Sequence, residues 1–469
     1  MDKNIIEKYV DAFCHKIVLP TFMEYIKTPN LSPNYDPYWN TNGNQDQAAK
    51  LLHNWVEEQN IKGLRTNKIM KDLNRTSLIF IEVDSFNTDS NKSLLVYGHF
   101  DKQPYFTGWS PDHGPTDPVI IDGKLYGRGA ADDGYAIFAI ISAILTCQSN
   151  KYSHPKITII IEGAEESYQK DLFNYLEQII PNIKTPDLVI CLDSGGMDYL
   201  RLWAMTCVRG VISLNLKVTI LEQGIHSGCG GGLIPDSFMI MRELLDRLEY
   251  SNTGLMKDSA LYVDIPKERQ VEIELLAEVL GDSFIKNLPL YENTQPLFKD
   301  IKELLTRNTW TTTMAVLGQS GFPESILGGN VLRQLSELRV SFRLPPTLNA
   351  KFATDRIIKT LTDNPPFGAK VEIDVITSDN GWNMEIYSDN LKRVMGDASK
   401  MFFGKNYLNE LCAATVPFLK TISQKFPKSE ILCTGAIGFD SNIHGPNENL
   451  DVAYFQKFIC CLSYILNNY

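Results

Sequence analysis

Ser93-Leu-Leu-Val-Tyr-Gly-His-Phe-Asp101 reads as a buried strand that ends in a histidine and a carboxylate. Its first five residues, Ser93 to Tyr97, are apolar on both faces, as expected of a strand in a mainly parallel sheet covered by helices on both sides. A histidine and a carboxylate follow directly, at the end of a buried strand, which is where α/β proteins build their sites. His99 and Asp101 are i and i+2 in extended chain and point to one side. Asp101 can therefore bond one ring nitrogen of His99 while the other binds a metal.

Ile157-Thr-Ile-Ile-Ile161 and Leu188-Val-Ile-Cys-Leu192 repeat the pattern of a strand buried on both faces. The segment Tyr135 to Leu145 is apolar all round, as for a helix packed against such a sheet, and its apolar run is about half of what a membrane-spanning helix needs. From Val211 the pattern changes. Ile212, Leu214, Leu216, Val218 and Ile220 alternate with polar residues, as do Leu338 to Leu344 and Val371 to Val375. These are strands with one wet face. Trp310 to Val316 is β-branched enough for a fourth, and helical patterns lie at Asp236–Tyr250 and Ala353–Thr362. The order strand, helix, strand, strand, helix, strand is the ferredoxin-like plan. Residues 250–308 are charged and helical in pattern, an elaboration of that unit. After Trp382 the chain is helical again and ends in Glu430-Ile-Leu-Cys433 and a Gly-rich turn. The expected architecture is a discontinuous α/β domain, 1–206 plus 380–469, interrupted by a smaller α+β domain, 207–379.

Bulk properties agree with a two-domain globular chain. It has 469 residues, 43% of them hydrophobic and 22% charged. A net charge of −11 argues against nucleic acid or an anionic membrane as the main partner. The N-terminus mixes charged and apolar residues in a helical pattern, without the uninterrupted apolar core of a secretory signal. Nine cysteines, an odd number without paired spacing, suit a reducing compartment, so a cytoplasmic location is expected.

Only seven histidines are available as ligands. Beside His99 and Asp101, four loops hold chemistry-bearing residues. Tyr126-Gly-Arg-Gly-Ala-Ala-Asp132-Asp133-Gly134 brings two adjacent carboxylates to the start of a greasy helix, which is costly unless a cation neutralises them. Helix capping explains one of the two, Asp133, but not both. Glu162-Gly-Ala-Glu165-Glu166-Ser167 places two neighbouring glutamates at a strand end, where one can bind metal and the other stay free to accept a proton. Asp193 follows the third buried strand. His444 lies in the turn-rich Gly438-Phe-Asp-Ser-Asn-Ile-His-Gly-Pro-Asn-Glu448. Each loop alone has an ordinary structural explanation. Pooled, they supply two histidines, three carboxylates and a spare glutamate. That set suits a pair of Zn²⁺ ions bridged by one carboxylate, and would also accept Mn²⁺ or Co²⁺.

In combination, GHFDKQP, LYGRGAADD, EGAEES, CLDSGG, GIHSG, RVSFRL and the late His444 loop resemble the dizinc metallopeptidase family of carboxypeptidase G, carnosine-type dipeptidases, aminoacylase, acetylornithine deacetylase and succinyl-diaminopimelate desuccinylase. The resemblance spans nearly the whole chain. It implies a zinc-exopeptidase-like α/β/α catalytic domain and a ferredoxin-like lid and dimerisation domain. By that resemblance two divalent ions are bound per chain: His99 and Asp193 hold one, Glu166 and His444 the other, and Asp132 bridges them. Asp101 orients His99, Glu165 is the general base, and the Asp132–Asp133 peptide is cis. It further implies that His226 stabilises the oxyanion, within one chain or across two, and that Arg343 grips a substrate carboxylate, with Asn330 and Thr415 close by. The expected substrate is a small peptide, cut at a dipeptide or C-terminal amide, by a cytoplasmic homodimer. The half-exposed strand at Val211–Ile220 offers an edge for that dimer. An N-acyl amino acid deacylase is the alternative within the enzyme class. A non-catalytic amino-acid-binding relative is the remote one, disfavoured because a scaffold has no need of an unligated base. Departures from the family pattern sit near substrate contacts: Gly134-Tyr135 after the paired aspartates, Leu332-Arg333 after Asn330, alanines before Thr415, and Asp379-Asn380-Gly381 before Trp382.

Overall fold

The computed structural model describes residues 1–167, 170–286, 288–412 and 417–469. The chain forms two compact units. The first is Met1–Met205 with Glu385–Glu410 and Thr421–Tyr469, and the second is Thr206–Met384 with Leu411–Lys420.

The first unit is built on the strand quoted above, which runs Ser93–His99 and is buried throughout. Lys156–Glu162 and Leu188–Cys191 pair with it in parallel, one on each side, and Glu430–Cys433 adds in parallel beyond Leu188–Cys191. Leu78–Val83 and Leu64–Met70 extend the other edge antiparallel. Because the four parallel strands share one direction, their C-terminal ends line one side of the sheet, and His99 pairs in register with Glu162 there.

Helix Tyr135–Ser149 is buried from Tyr135 to Gln148, as its all-round apolar sequence requires. It packs on the C-terminal helix Val452–Asn468, where Tyr135 meets Phe455 and Phe458 edge-on. Phe138 is wedged between Phe22 and Trp55. Each of its fully buried Ile and Phe side chains contributes about 1.5–3 kcal/mol of transfer free energy. The helix start lies hard against the sheet because of Gly98. A Cβ there would stand 2.5 Å from the Ala136 Cβ and 2.8 Å from Asp133 Oδ2. A separate three-stranded sheet joins Val119–Ile121 and Lys124–Tyr126 to Asn449–Asp451, with Tyr126 opposite Asn449. The sequence did not announce this pairing.

The second unit carries a four-stranded antiparallel sheet in the order Thr313–Ser320, Leu335–Leu344, Gly210–Thr219, Lys370–Asp379. Helices Ser237–Leu248 and Ala350–Thr362 pack on its apolar face, over a core that includes Ile212, Leu214, Ile240, Leu244, Phe342 and Ile357. The ferredoxin-like expectation holds, and the alternation of Gly210–Thr219 reads buried, half-buried along its whole length.

Two expectations need correction. Gly210–Thr219 is an inner strand, paired on both sides, so it offers no edge for a second chain. Trp310 is not in a strand. It ends helix Ile301–Trp310, started by the Asp300 side chain accepting from the Lys302 N–H, and the strand begins at Thr313. Helical packing of Leu305 and Trp310 outweighs the β-branched composition. The stretch read as charged and helical holds Lys267–Leu280 and Ser283–Lys286 besides. Among the described residues no helix is long and apolar enough to cross a membrane.

Candidate metal centre

Seven of the residues singled out from sequence converge at the strand ends of the first unit. Asp132 is at the middle. Its Oδ1 lies 3.1 Å from Nε2 of His99 and its Oδ2 2.8 Å from Nε2 of His444, so each carboxylate oxygen faces a different histidine. Asp132 follows the Lys124–Tyr126 strand and His444 precedes Asn449–Asp451, so the pairing of those two strands is what brings the loops together. The Asp132–Asp133 peptide is cis.

His99 is buried, with Nδ1 3.3 Å from Asp101 Oδ1 and Nε2 toward Asp132. Asp101 does more than face the imidazole. Its two oxygens accept the backbone N–H groups of Glu165 and Glu166, at 3.1 and 3.0 Å, and so hold the acidic turn after Lys156–Glu162. Ser167, at the end of that turn, is bonded to Ser32 and to the Asn34 N–H. Ligand atoms of His99, Asp132 and Glu166 lie within 4.8 Å of one another, and so do those of His99, Glu165 and Asp193. His444, about half exposed, is 3.3 Å from Glu166 Oε1, while the Gln103 side-chain amide donates to the other oxygen of Glu166.

The electrostatics follow from four carboxylates in a dry place. Burial pushes Glu165 well above the usual carboxylate range, with the charge of Asp193 adding to it. Burial and the Asp132 charge raise Glu166 to about 7, and burial raises Asp193 to about 6. Asp132 goes the other way: burial opposes its charge, but hydrogen bonds from His444 and His99 outweigh that and keep it below the usual range. His444 is pushed up to about 11, because bonds to Asp132 and Glu166 overcome its burial. Crowded, half-desolvated carboxylates with two imidazoles between them are a donor set that divalent cations neutralise. Glu166 Oε1 and His99 Nδ1 are moreover buried without a hydrogen bond of good geometry. The residues present fit the expected metal centre.

Some residues that shape this centre went unassigned in the sequence. Asp133 does not cap the following helix. Its Oδ2 accepts the backbone N–H of His99 at 3.1 Å, and Gly134 stands at the N-cap without a side-chain bond. Glu448 is fully buried with Arg128, its Oε2 2.7 Å from the guanidinium. A glutamate directly before a strand and an arginine between two glycines were visible, but their meeting across the chain was not.

The remaining candidates lie in the second unit. His226 sits on a two-residue strand paired with Val331–Leu332. Its Nδ1 accepts the Gly228 N–H, and the Ser227 N–H donates to the carbonyl of Asn330 at 2.9 Å. His226 and Asn330 are thus neighbours, both exposed. Arg343 is half-buried on the central Leu335–Leu344 strand. Burial lowers its pKa. The Arg209 guanidinium donates to its carbonyl at 2.8 Å. Arg339, on the same face, donates to its cross-strand neighbour Asn215 at 2.6 Å, the behaviour of a surface arginine. Thr415 lies outside the described residues.

Comparison with known proteins gives a consistent result. The chain is 23% identical over 368 residues to cysteinylglycine-S-conjugate dipeptidase of Corynebacterium striatum, a match covering 76% of this chain and 77% of that one. It is 24% identical over 378 residues to Beta-Ala-His dipeptidase of Mus musculus, covering 76% and 73%. Among solved structures, human carnosine dipeptidase 1 superposes with a TM-score of 0.78 at 19% identity, over 99% of this chain and 98% of that one. The dipeptidase Dug1p from Saccharomyces cerevisiae gives 0.77 at 18% identity, over 100% and 98%. At such identities the structural likeness speaks for the fold. The sequence profile of one family matches residues 95–468, most of the chain. This chain belongs to peptidase family M20/M25/M40.

Proposed function

We propose that this chain is a dipeptidase working with two divalent metal ions, held by His99 and Asp193 on one side, Glu166 and His444 on the other, and bridged by Asp132. The observation that carries this reading is the Asp132 carboxylate, each of whose oxygens faces a different histidine. A carboxylate between two imidazoles, with further acids at each flank, is the arrangement a bridging ligand needs. Zn²⁺ is the first choice for this mixed N/O donor set, with Mn²⁺ and Co²⁺ as rivals.

When bound, the ions would polarise the scissile carbonyl and make the attacking water more acidic. The rest falls to the protein. Glu165, whose proton affinity is raised by burial and by Asp193, would take the proton of the attacking water on its carboxylate and hand it to the leaving amine. Asp101 holds both His99 and the backbone of Glu165, so the base and the first ligand share one anchor. In the second unit, Arg343 would bind the substrate carboxylate through its planar fork and His226 would donate to the developing oxyanion, and by resemblance Asn330 and Thr415 would be further substrate contacts. The names of the relatives favour dipeptides over N-acyl amino acids as substrates. A homodimer in the cytoplasm is part of the same proposal. The odd number of cysteines without paired spacing supports the location, and the dimer rests on the family resemblance alone.

The test is a panel of unmodified dipeptides, N-acetyl and N-succinyl amino acids, compared by kcat/KM with the metal-loaded protein. Dipeptides are expected to exceed both acyl classes by at least an order of magnitude. The reverse order would make the chain a deacylase, and no turnover on any of them would leave only a binding role.

A further inference from the structure

Glu448 is a carboxylate with no route to solvent and, in the mechanism above, no task. Its four acceptor positions are all used. Oε2 takes the Arg128 guanidinium at 2.7 Å and the Gly129 N–H at 3.1 Å. Oε1 takes the N–H groups of Ala131 at 2.9 Å and of Asp132 at 3.0 Å. Arg128 in turn donates through its other terminal nitrogen to the carbonyl of Gly445 at 2.6 Å, one residue beyond His444. Its guanidinium carbon stands over the rings of Trp109 and Phe106, 5.8 and 5.9 Å from their centroids. Both charged side chains are buried, at 1% and 0% exposure.

Burying two charges is costly, and a pair serving stability alone is commonly replaceable by apolar side chains. What distinguishes this pair is where its hydrogen bonds end. One partner ends on the backbone of Asp132, the other on the backbone beside His444. The two loops they join are separated by more than 300 residues of chain and carry the carboxylate and the imidazole that stand 2.8 Å apart. His444 itself has a positive φ of 59° and its side chain is about half exposed, so the loop backbone that Arg128 grips at Gly445 bears on its placement.

We propose that Glu448 and Arg128 are positioning residues that set the spacing of Asp132 and His444, and through it the metal affinity of the centre. The proposal rests on the reading of those two residues as ligands. Partners of this kind behind a ligand typically change metal affinity by about 10–100-fold when removed. The two side chains are not equivalent. Glu448 orders the loop of the bridging carboxylate and so affects both ions. Arg128 reaches the His444 loop through Gly445 and affects mainly the ion on the Glu166 and His444 side.

The experiment measures Zn²⁺ affinity by chelator competition, and the visible spectrum of the Co²⁺ form, on full-length wild type, Glu448→Gln and Arg128→Lys. Circular dichroism and a melt of the metal-free protein separate lost stability from lost affinity. Glu448→Gln is expected to bind both ions about 10–100-fold more weakly with an altered Co²⁺ spectrum. Arg128→Lys keeps a cation beside Glu448 and is expected to weaken one ion only. If folded Glu448→Gln binds both ions with wild-type affinity and an unchanged spectrum, the positioning role is overturned while the metal centre stands. If Glu448→Gln does not fold, wild-type affinity for both ions in Arg128→Lys overturns it instead. Wild-type protein that takes up no metal would overturn the reading of Asp132 and His444 as ligands, and this proposal with it.

Discussion

Single residues carry the chemistry. Glu165 is the carboxylate on which the proposed reaction turns, and Glu165→Gln keeps its size and its backbone bond to Asp101. The variant is expected to keep wild-type metal content by elemental analysis while kcat falls by about 10²–10⁴, the usual contribution of a placed general base. Wild-type turnover would remove Glu165 from the mechanism. Arg343→Ala is expected to raise KM for dipeptides about 10–100-fold, since a hydrogen bond to a charged group contributes about 1.5–3 kcal/mol. Substrates amidated at the C-terminus should show no such change; an equal effect on them would contradict a carboxylate contact. The ligand candidates were legible because each is an acid or histidine at the end of a buried strand or in a Gly-rich turn. Glu448 and Arg128 carry no signal in the sequence, and Asp133 reads there as a helix cap, because their roles lie in bonds to backbone atoms that only the fold brings near.

At the scale of elements, apolar periodicity located most strands and helices, since burial on one face or two leaves a direct trace in sequence. It failed where composition and packing disagree. Trp310 reads as strand among Thr residues, yet it closes a helix whose buried face includes Leu305. The polar face of strand Gly210–Thr219 suggests an edge, but facing and edge position are independent: its neighbours pair with both of its sides. Helix Tyr135–Ser149 places Asp132 and Asp133 against the sheet, so its packing matters to the centre. Ile141, fully buried, should cost about 2–5 kcal/mol as Ile141→Ala. A denaturant midpoint unchanged from wild type would contradict the burial.

For the whole molecule, the two-unit organisation was foreseeable from the switch between strands buried on both faces and strands with one wet face. The return of Leu411–Lys420 to the second unit was not, because a short segment carries no periodic signal. Nor was the pairing of Lys124–Tyr126 with Asn449–Asp451, three residues a side, which brings the Asp132 and His444 loops together. Since the proposed ligands converge only in the folded chain, metal binding should stabilise it. At free metal a hundred times Kd the gain is about 2.7 kcal/mol for one site. Treatment with a chelator should therefore lower Tm, and re-addition of Zn²⁺ should restore it; a Tm indifferent to both would mean that the ligands are not assembled in the native state.

We propose dipeptide hydrolysis by a two-metal centre bridged by Asp132. Its most direct test is a titration of the metal-free protein with Zn²⁺ or Mn²⁺, following cleavage of an unmodified dipeptide. Activity that rises and levels off at two equivalents per chain is the predicted result, and a folded protein that cleaves no dipeptide at any metal loading would contradict it.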